Sequence, residues 1–342
     1  MNKIHKDHRH FFSIFFVVPI LVLIGGCAIL EVKKPQVEAP LVERTFPNFI
    51  ALIVREGDTL SSLALKYLND SSMDWLIAEY NEIDTLKPGQ TLIIPLKPYQ
   101  KGGLTSKGYQ MVPILSYHHF SLDRADKLTV TKSTFEEQMK FLKDRGYRVI
   151  TLDQLFDFLE FKSQIPKKSV VINIDDGWRS TYDMAFPILK KYGYPATLFV
   201  YTDLIVGSEK TLSWDLIQEM ANNGMDIQCH TKTHRHLTPI DQKESFKEYF
   251  EAIEKELSAC EAMIKKKLNK EVKYLAYPYG DTNPLVIELL KKHGYLGAFT
   301  IKRGGNPFFI HNYRLNRSMI YGDFDLNQFE KNLTVFTEES LK

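Results

Sequence analysis

Short apolar runs alternate with amphipathic segments over most of the chain. From Met111 onwards, most runs of strand length are followed by a segment with the apolar period of a helix. The predicted strands are 111–117, 147–152, 169–174, 196–201, 225–229, 273–277, 296–300 and 314–320. The predicted helices are 133–145, 153–161, 180–192, 214–223, 243–267, 283–293 and 325–334. Repeated strand–helix units predict an α/β domain with a parallel sheet, and this many units in about 230 residues predict a closed or nearly closed (β/α) barrel.

A shorter pattern precedes this domain. Its predicted elements are a strand at 50–54, a helix from Leu60, a helix at 73–80 and a strand within 87–95. This β-α-α-β order predicts a separate small domain at 49–98. Segments 28–48 and 99–110 carry proline, glycine or charge without a period and are predicted to be linkers, so the larger domain spans 111–342.

The first 27 residues have the layout of a secretory signal peptide. Basic residues precede an apolar run at 11–24, which is too short for a stable membrane span. The run ends in 24-IGGC-27, which resembles a lipobox, in which Cys27 becomes the lipidated first residue of the mature chain. An uncleaved signal anchor is the alternative. We predict a cell-envelope protein attached to the membrane by this lipid, in the periplasm or at the outer membrane if the organism is Gram-negative.

The charge balance and the cysteine count narrow the classes of function. Lys and Arg number 44 and Asp and Glu number 42, so the net charge of +2 gives no reason to predict a nucleic-acid partner. Three cysteines are too few for a disulfide framework. Cys229 and Cys260 either pair in an oxidising compartment or remain inert thiols.

Two adjacent carboxylates close one of the predicted strands, in 170-VVINIDDGWRS-180. Like charges at Asp175 and Asp176 repel and are costly to bury, so the pair predicts a divalent cation. His230 and His234 follow another strand, and their spacing predicts one helical turn that presents both rings to one ion. Two histidines and one carboxylate leave positions open for water and substrate, as a catalytic site requires.

Such a site divides the two aspartates between two tasks. One binds the ion, and the other stays ionised to accept a proton from water, whose pKa the ion lowers towards about 7. The developing oxyanion needs stabilisation, and the leaving amine needs a general acid, for which histidine is suited.

Three motifs in this domain together resemble those of the polysaccharide deacetylase family of carbohydrate esterases. They are NIDDGW, HTKTH and 277-YPYG-280, and the resemblance covers roughly 111–320. It implies a distorted (β/α) barrel that uses a divalent metal to remove acetyl groups from N-acetylglucosamine units. Zinc is the expected ion for this ligand set, with cobalt or nickel as alternatives.

The resemblance also implies a role for each motif residue. Asp175 is the implied base, and the implied metal ligands are Asp176, His230 and His234. Tyr279 matches the residue whose backbone N–H helps to form the oxyanion hole, and Pro278 precedes it in the same substrate-binding turn.

The sequence departs from the family pattern in two places. Ala276 stands where the family has an arginine, and 315-LNR-317 stands where a Leu-x-His motif supplies the acid. The early 115-LSYHHF-120 resembles a branch that includes poly-β-1,6-N-acetylglucosamine deacetylases, in which a histidine after the first strand is the acid. We therefore predict that His118 is the acid and that Arg317 replaces the missing arginine and orients Asp175, which completes the catalytic set.

The small domain resembles the lysin motif, or LysM. The matching stretches are VREGDTLSSLA, EYN and LKPGQTLIIP, and they cover 49–98 nearly completely. The resemblance implies binding to glycans that contain N-acetylglucosamine, such as peptidoglycan. A small structural cap without a ligand is the alternative.

Several of these residues also have ordinary structural explanations. Trp178 and Trp214 are predicted to contact sugar, although packing is the alternative for both. One of His118 and His119 is expected to be a hydrogen-bonded core histidine. The whole chain is predicted to be an N-deacetylase of peptidoglycan or poly-N-acetylglucosamine. The alternatives are a catalytically inactive envelope scaffold and a deacylase of O-acetylated sugars or of a cyclic imide.

Overall fold

The structure, a computed structural model, describes residues 43–238 and 244–339. The predicted signal peptide and the predicted lipidation at Cys27 lie outside the described residues. No helix in the described ranges is long and apolar enough to cross a membrane.

A small domain with one antiparallel sheet and two helices comes first. Its elements are β1 (Glu43–Thr45), β2 (Phe49–Ile53), α1 (Leu60–Leu68), α2 (Asp74–Tyr80) and β3 (Thr91–Pro95). The hydroxyl of Thr59 caps α1 by accepting the N–H of Ser62 at 3.0 Å. Ile77, Leu92 and Ile94 are fully buried in the core between helices and sheet. The predicted β-α-α-β order is confirmed, with β1 added as an edge strand.

The larger domain is built on one curled, mostly parallel sheet. Its strands and those of two accessory sheets are β4 (Leu104–Thr105), β5 (Gly108–Gln110), β6 (Val112–Tyr117), β7 (His119–Ser121), β8 (Thr129–Thr131), β9 (Arg148–Val149), β10 (Ser169–Asp176), β11 (Thr197–Val200), β12 (Asp226–Cys229), β13 (Tyr274–Ala276), β14 (Gly297–Phe299), β15 (Gly305–Asn306), β16 (Ser318–Met319) and β17 (Phe336–Glu338). Its helices are α3 (Lys132–Asp144), α4 (Leu152–Leu159), α5 (Phe186–Tyr192), α6 (Trp214–Asn222), α7 (Phe246–Leu268), α8 (Pro284–Lys292) and α9 (Leu326–Glu330). The central strand order is β14-β13-β12-β11-β10-β6-β15.

Segment 315–319 connects the two ends of the curled sheet. Leu315 forms a parallel bridge with Phe299 of β14, and β16 pairs in parallel with β6. This arrangement is the distorted (β/α) barrel that the sequence predicts. Only Ser318–Met319 of the predicted strand 314–320 is regular, because the segment changes strand partners within a few residues.

The alternating pattern of the strands separates two apolar cores. One set of side chains, including Ile172 and Ile174 of β10, packs against the outer helices. The other set, including Val171 and Phe199, packs on the opposite face together with α4. The carboxyl ends of the parallel strands, where a barrel of this kind carries its functional residues, therefore lie above a packed apolar interior.

Two segments predicted to be linkers contain strands instead. Strand β1 lies at the end of segment 28–48, and all its residues are exposed, so no hydrophobic pattern marks it. Strands β4 and β5 lie within 99–110 and form a small sheet with β17 near the C-terminus. Gly108 allows this pairing, because its φ is +149° and a Cβ there would lie 2.0 Å from the carbonyl oxygen of Thr337. A glycine that predicts a flexible linker here permits a close backbone approach.

The small domain contacts the larger one near the start of β10. The carboxylate of Asp74 accepts two hydrogen bonds from Arg148, at 3.0 and 3.1 Å. Glu79 Oε1 accepts the N–H of Lys167 at 2.9 Å. These contacts lie at the opposite end of β10 from its two terminal aspartates.

Candidate metal and catalytic site

The register of the parallel strands brings the predicted residues to one edge of the sheet. Ile174 of β10 pairs with Tyr117 of β6, so His118 comes level with Asp175. On the other side, β10 pairs with β11 and β11 pairs with β12, so Asp176 and His230 both follow at this edge. The register therefore brings His118, Asp175, Asp176 and His230 to the same edge of the sheet.

Asp176, His230 and His234 form a cluster with the spacing of metal ligands. One donor atom from each lies within 4.8 Å of the others. The Nε2 atoms of His230 and His234 lie 3.6 and 3.7 Å from Oδ1 of Asp176. Two imidazoles and one carboxylate pointing at one position fit a divalent cation of the zinc type.

The segment that carries the two histidines is a loop, so the predicted helical turn is wrong. Thr231 and His234 adopt left-handed backbone conformations, with φ of 70° and 64°. The hydroxyl of Thr231 accepts the N–H of His234 at 3.1 Å and closes the loop locally. The two rings converge because the backbone turns back on itself, whereas in a helix they would only share a face.

His230 is the most firmly fixed of the ligands. Its Nδ1 lies 2.7 Å from the carbonyl oxygen of Ala276, which selects the tautomer with Nε2 free for the cluster. Complete burial lowers the pKa of His230 to about 4, although the charges of Asp175 and Asp176 oppose that change. Burial also lowers the pKa of His234. Both imidazoles are therefore neutral at neutral pH, which is the form that binds a metal.

Consecutive strand residues normally point to opposite faces, yet both aspartates serve this site. Asp176 has a φ of 80°, and Gly177 follows with a φ of 119°, so the strand ends in a sharp left-handed turn. The turn directs the Asp176 carboxylate back towards the cluster. The indole N–H of Trp178 donates to Asp176 Oδ2 at 2.8 Å and fixes its orientation.

Asp175 lies next to this cluster and is paired with Arg317. Arg317 Nη1 donates to Asp175 Oδ1 at 2.7 Å, and both side chains are buried. Burial alone would raise the pKa of Asp175, but the charge of Arg317, helped by His230 and His118, holds it below its ordinary value. The other oxygen, Oδ2, lies 3.9 Å from Nε2 of His118. An ionised carboxylate thus stands beside a histidine and the candidate metal ligands.

His119, Trp178 and Trp214 are not among the candidate metal ligands, and their contacts differ from one another. His119 stacks on Trp178 with ring centres 4.2 Å apart, and burial lowers the pKa of His119. The ring of Trp178 therefore contacts His119, and its N–H is bonded to Asp176. The predicted contact of Trp178 with sugar stays a prediction. Trp214 begins α6 and packs against the outer core.

Tyr279 forms one wall of the site. It lies in the short turn Pro278–Gly280 with a φ of 58°, and its side chain is 50% exposed. Its ring stacks on His236 at 3.9 Å and meets His234 edge-on at 4.7 Å. The predicted roles of the Tyr279 N–H and of Pro278 stay predictions.

The structure shows the surroundings of His311 and settles whether Cys229 and Cys260 pair. His311, near the missing acid motif, is exposed, and its Nδ1 accepts the N–H of Tyr313 at 3.1 Å. Cys229 and Cys260 form a disulfide between β12 and α7.

Two groups that are hydrogen-bonded to the ligand segment belong to no sequence motif: the Ala276 carbonyl and the Glu256 carboxylate. The Ala276 carbonyl leaves no trace in side-chain chemistry. The buried Glu256 of α7 does leave a signal in the sequence. It is a charged residue on an otherwise apolar helical face, which is formed by Tyr249, Ile253, Cys260 and Ile264. A charge on such a face is a detectable signal.

Comparisons with known proteins show which families the two domains resemble. The polysaccharide deacetylase family profile matches residues 162–298, and the LysM domain profile matches residues 52–95. The chain is 32% identical over 213 residues to the poly-beta-1,6-N-acetyl-D-glucosamine N-deacetylase of Staphylococcus aureus. The aligned stretch covers 60% of this chain and 73% of that protein.

Solved structures of deacetylases have a similar fold. The Streptococcus pyogenes deacetylase PplD in complex with acetate has a TM-score of 0.59 at 26% identity and covers 65% of this chain and 98% of that one. A polysaccharide deacetylase from Bacillus cereus has a TM-score of 0.55 at 27% identity and covers 74% of each chain.

Proposed function

The chain belongs to the polysaccharide deacetylase family, and from this premise we propose that it is a metal-dependent hydrolase that removes N-acetyl groups from N-acetylglucosamine units of a cell-envelope polysaccharide. The observation that carries the proposal is the convergence of Asp176, His230 and His234 beside an ionised Asp175 held by Arg317. An inactive scaffold has no use for this arrangement, because burying the charges is costly.

The donor set supports zinc as the ion, with cobalt or nickel able to replace it. Two neutral imidazoles and one carboxylate leave coordination positions for water and for the substrate oxygen. When bound, the ion polarises the acetyl carbonyl and lowers the pKa of water. Asp176 is kept in orientation for this task by the Trp178 N–H.

Asp175 is the proposed general base. Its lowered pKa keeps it ionised at neutral pH, so it can accept the proton of the attacking water. Arg317 engages Oδ1, so the geometry leaves Oδ2, on the side of His118, to receive that proton. Arg317 acts here as a positioning residue, since it orients the base without reaching the substrate.

His118 is the proposed general acid for the leaving amine. Its Nε2 and Asp175 Oδ2 are 3.9 Å apart, too far for a hydrogen bond, so the two groups share one pocket without being paired. The N–H of Tyr279 is among the first amides of the turn that begins at Pro278, and such amides have no partner inside the turn. We assign it to the developing oxyanion.

The LysM domain supports a glycan that contains N-acetylglucosamine as the substrate. The Staphylococcus aureus relative is named for poly-beta-1,6-N-acetyl-D-glucosamine, and peptidoglycan is the second candidate polymer. The disulfide between Cys229 and Cys260 supports an oxidising, extracytoplasmic location. Lipid attachment at Cys27, and with it an anchor in the membrane, completes the proposal.

Product analysis tests this function. The full chain is incubated with zinc and either peptidoglycan or β-1,6-linked poly-N-acetylglucosamine, and released acetate and new free amines are measured. We expect one polymer to gain amines, and Asp175→Asn to abolish the gain. Acetate without new amines would instead identify an O-deacetylase, and glycan binding without acetate release would identify a scaffold.

A further inference from the structure

Glu256 is a buried carboxylate for which the proposed reaction has no direct use. It lies in the middle of α7 and is 5% exposed. We propose that Glu256 is a positioning residue that holds the loop of the two histidine ligands in its metal-binding conformation, an inference that rests on the function proposed above.

Both oxygens of Glu256 are bonded to the segment between His230 and His234. Oε2 accepts the backbone N–H groups of Lys232 and Thr233, at 2.9 and 2.7 Å. Oε1 accepts the hydroxyl of Thr233 at 2.7 Å. A carboxylate is suited to three donors because it has two oxygens and no hydrogen of its own, whereas an amide offers one oxygen only.

The loop needs such support because its backbone is strained. Thr231 and His234 are both left-handed, a conformation that costs energy for residues with a Cβ and persists only where the surroundings impose it. The strain sits on either side of Lys232 and Thr233, whose amides Glu256 binds. Without these bonds the loop is free to relax, and His234 would leave the cluster first, because His230 is also held by the carbonyl of Ala276.

The charge of Glu256 is offset by this loop. Within the described residues, the hydrogen bonds to its carboxylate come from Lys232 and Thr233, and charge-assisted bonds of this kind are stronger than neutral ones. Cys260 follows one helical turn later on the same face and is bonded to Cys229. Helix α7 thus fixes the ligand segment covalently before His230 and by hydrogen bonds after it.

Metal affinity tests this role independently of turnover. Glu256→Ala and Glu256→Gln are prepared in the full chain, and the dissociation constants for Zn²⁺ and Co²⁺ are measured by competition with a chelating dye. Removing a partner that orients a metal ligand typically weakens binding about 10–100-fold, which we expect for Glu256→Ala. Glu256→Gln keeps one accepting oxygen, so we expect a smaller loss. The absorption spectrum of bound Co²⁺ is expected to change in both variants.

Asp203→Asn is the matched control. Asp203 also contacts the loop, through an ion pair with Lys232 Nζ at 2.5 Å, but its side chain is 48% exposed and does not bind the loop amides. We expect wild-type metal affinity in this variant. Glu256→Gln is expected to fold, so the test stands even if Glu256→Ala does not.

The outcomes separate the two proposals. If both Glu256 variants bind metal with wild-type affinity and only the melting temperature falls, Glu256 is merely structural and the inference is wrong. If the wild-type chain itself binds no divalent metal, the proposed function fails first.

Discussion

Arg317 Nη1 lies 2.7 Å from Asp175 Oδ1, although 142 residues separate the two side chains in the chain. The pair forms because segment 315–319 connects the ends of the curled sheet and carries Arg317 across its interior face. The polysaccharide deacetylase motif has an arginine where this chain has Ala276, and we propose that Arg317, from a different element, takes its place beside the proposed base Asp175.

Replacing Arg317 is expected to move the pH dependence of the reaction. The charge of Arg317 lowers the pKa of Asp175, so Arg317→Met raises it. As the proposed base, Asp175 must be ionised to act, so the acid limb of kcat/KM is expected to shift to higher pH. Breaking a buried ion pair also costs about 3–5 kcal/mol of stability, which urea unfolding measures. Arg317→Lys keeps a charge and is expected to shift the acid limb less. An unmoved acid limb in the folded Met variant would remove Arg317 from the mechanism.

Replacing His118 is expected to slow the chemical step. His118→Asn removes the proposed acid, so kcat for acetate release falls about 10²–10⁴-fold while KM changes little. His311→Asn is the control, because His311 is exposed and bonded to the N–H of Tyr313. The reverse pattern, with His311 essential and His118 dispensable, would assign the acid to His311.

Trp178→Phe separates two roles of the indole. Phenylalanine keeps an aromatic ring but removes the N–H that donates to Asp176 Oδ2 at 2.8 Å. We expect the Zn²⁺ dissociation constant to rise about tenfold, since partners of metal ligands typically contribute this much or more. Trp214→Phe, in a side chain packed on the outer core, is expected to leave it unchanged. A raised KM for glycan oligomers with unchanged metal affinity would instead identify Trp178 as a sugar platform.

Metal removal is expected to abolish activity and to lower stability. Chelation followed by Zn²⁺, Co²⁺ or Ni²⁺ should restore acetate release, because two imidazoles and a carboxylate accept all three ions. A metal at about 100 times its dissociation constant stabilises the folded chain by about 2.7 kcal/mol, which calorimetry can measure. His234→Gln is expected to lose most of that stabilisation. Full activity in the chelated protein would contradict the proposed mechanism.

The disulfide is expected to stabilise the larger domain. Cys229 and Cys260 are separated by 31 positions, and a closed loop of that length stabilises a protein by about 3–4 kcal/mol through the entropy of the unfolded chain. The double replacement by alanine should lower the free energy of unfolding by roughly this amount. Thiol titration of the denatured chain, with and without reductant, checks the bond. Two titratable thiols at these positions without reductant would show that it does not form.

Much of the architecture follows from local pattern. Most predicted strands and helices of the larger domain agree with the structure to within a few residues, because apolar periods of two and of about 3.6 depend on neighbours in the chain. The short strands β7, β8 and β15 were not predicted. The failures have local causes as well. Strand β1 is exposed on both faces, so it shows no alternation of apolar and polar residues. The glycines at 99–110 predicted a flexible linker, but Gly108 instead permits close pairing of two strands.

The sequence by itself determined which donors are present: two aspartates after one strand, two histidines after another, and a histidine after the first. It also determined their common edge, since strand ends in a barrel share a side. Only the tertiary structure decided that Arg317 reaches Asp175, that Cys229 bonds Cys260, and that Glu256 accepts hydrogen bonds from the histidine loop. The physical reason is that residue type and period are properties of neighbouring residues. Contacts across tens or hundreds of positions depend instead on how the sheet closes and on which buried charges find partners there.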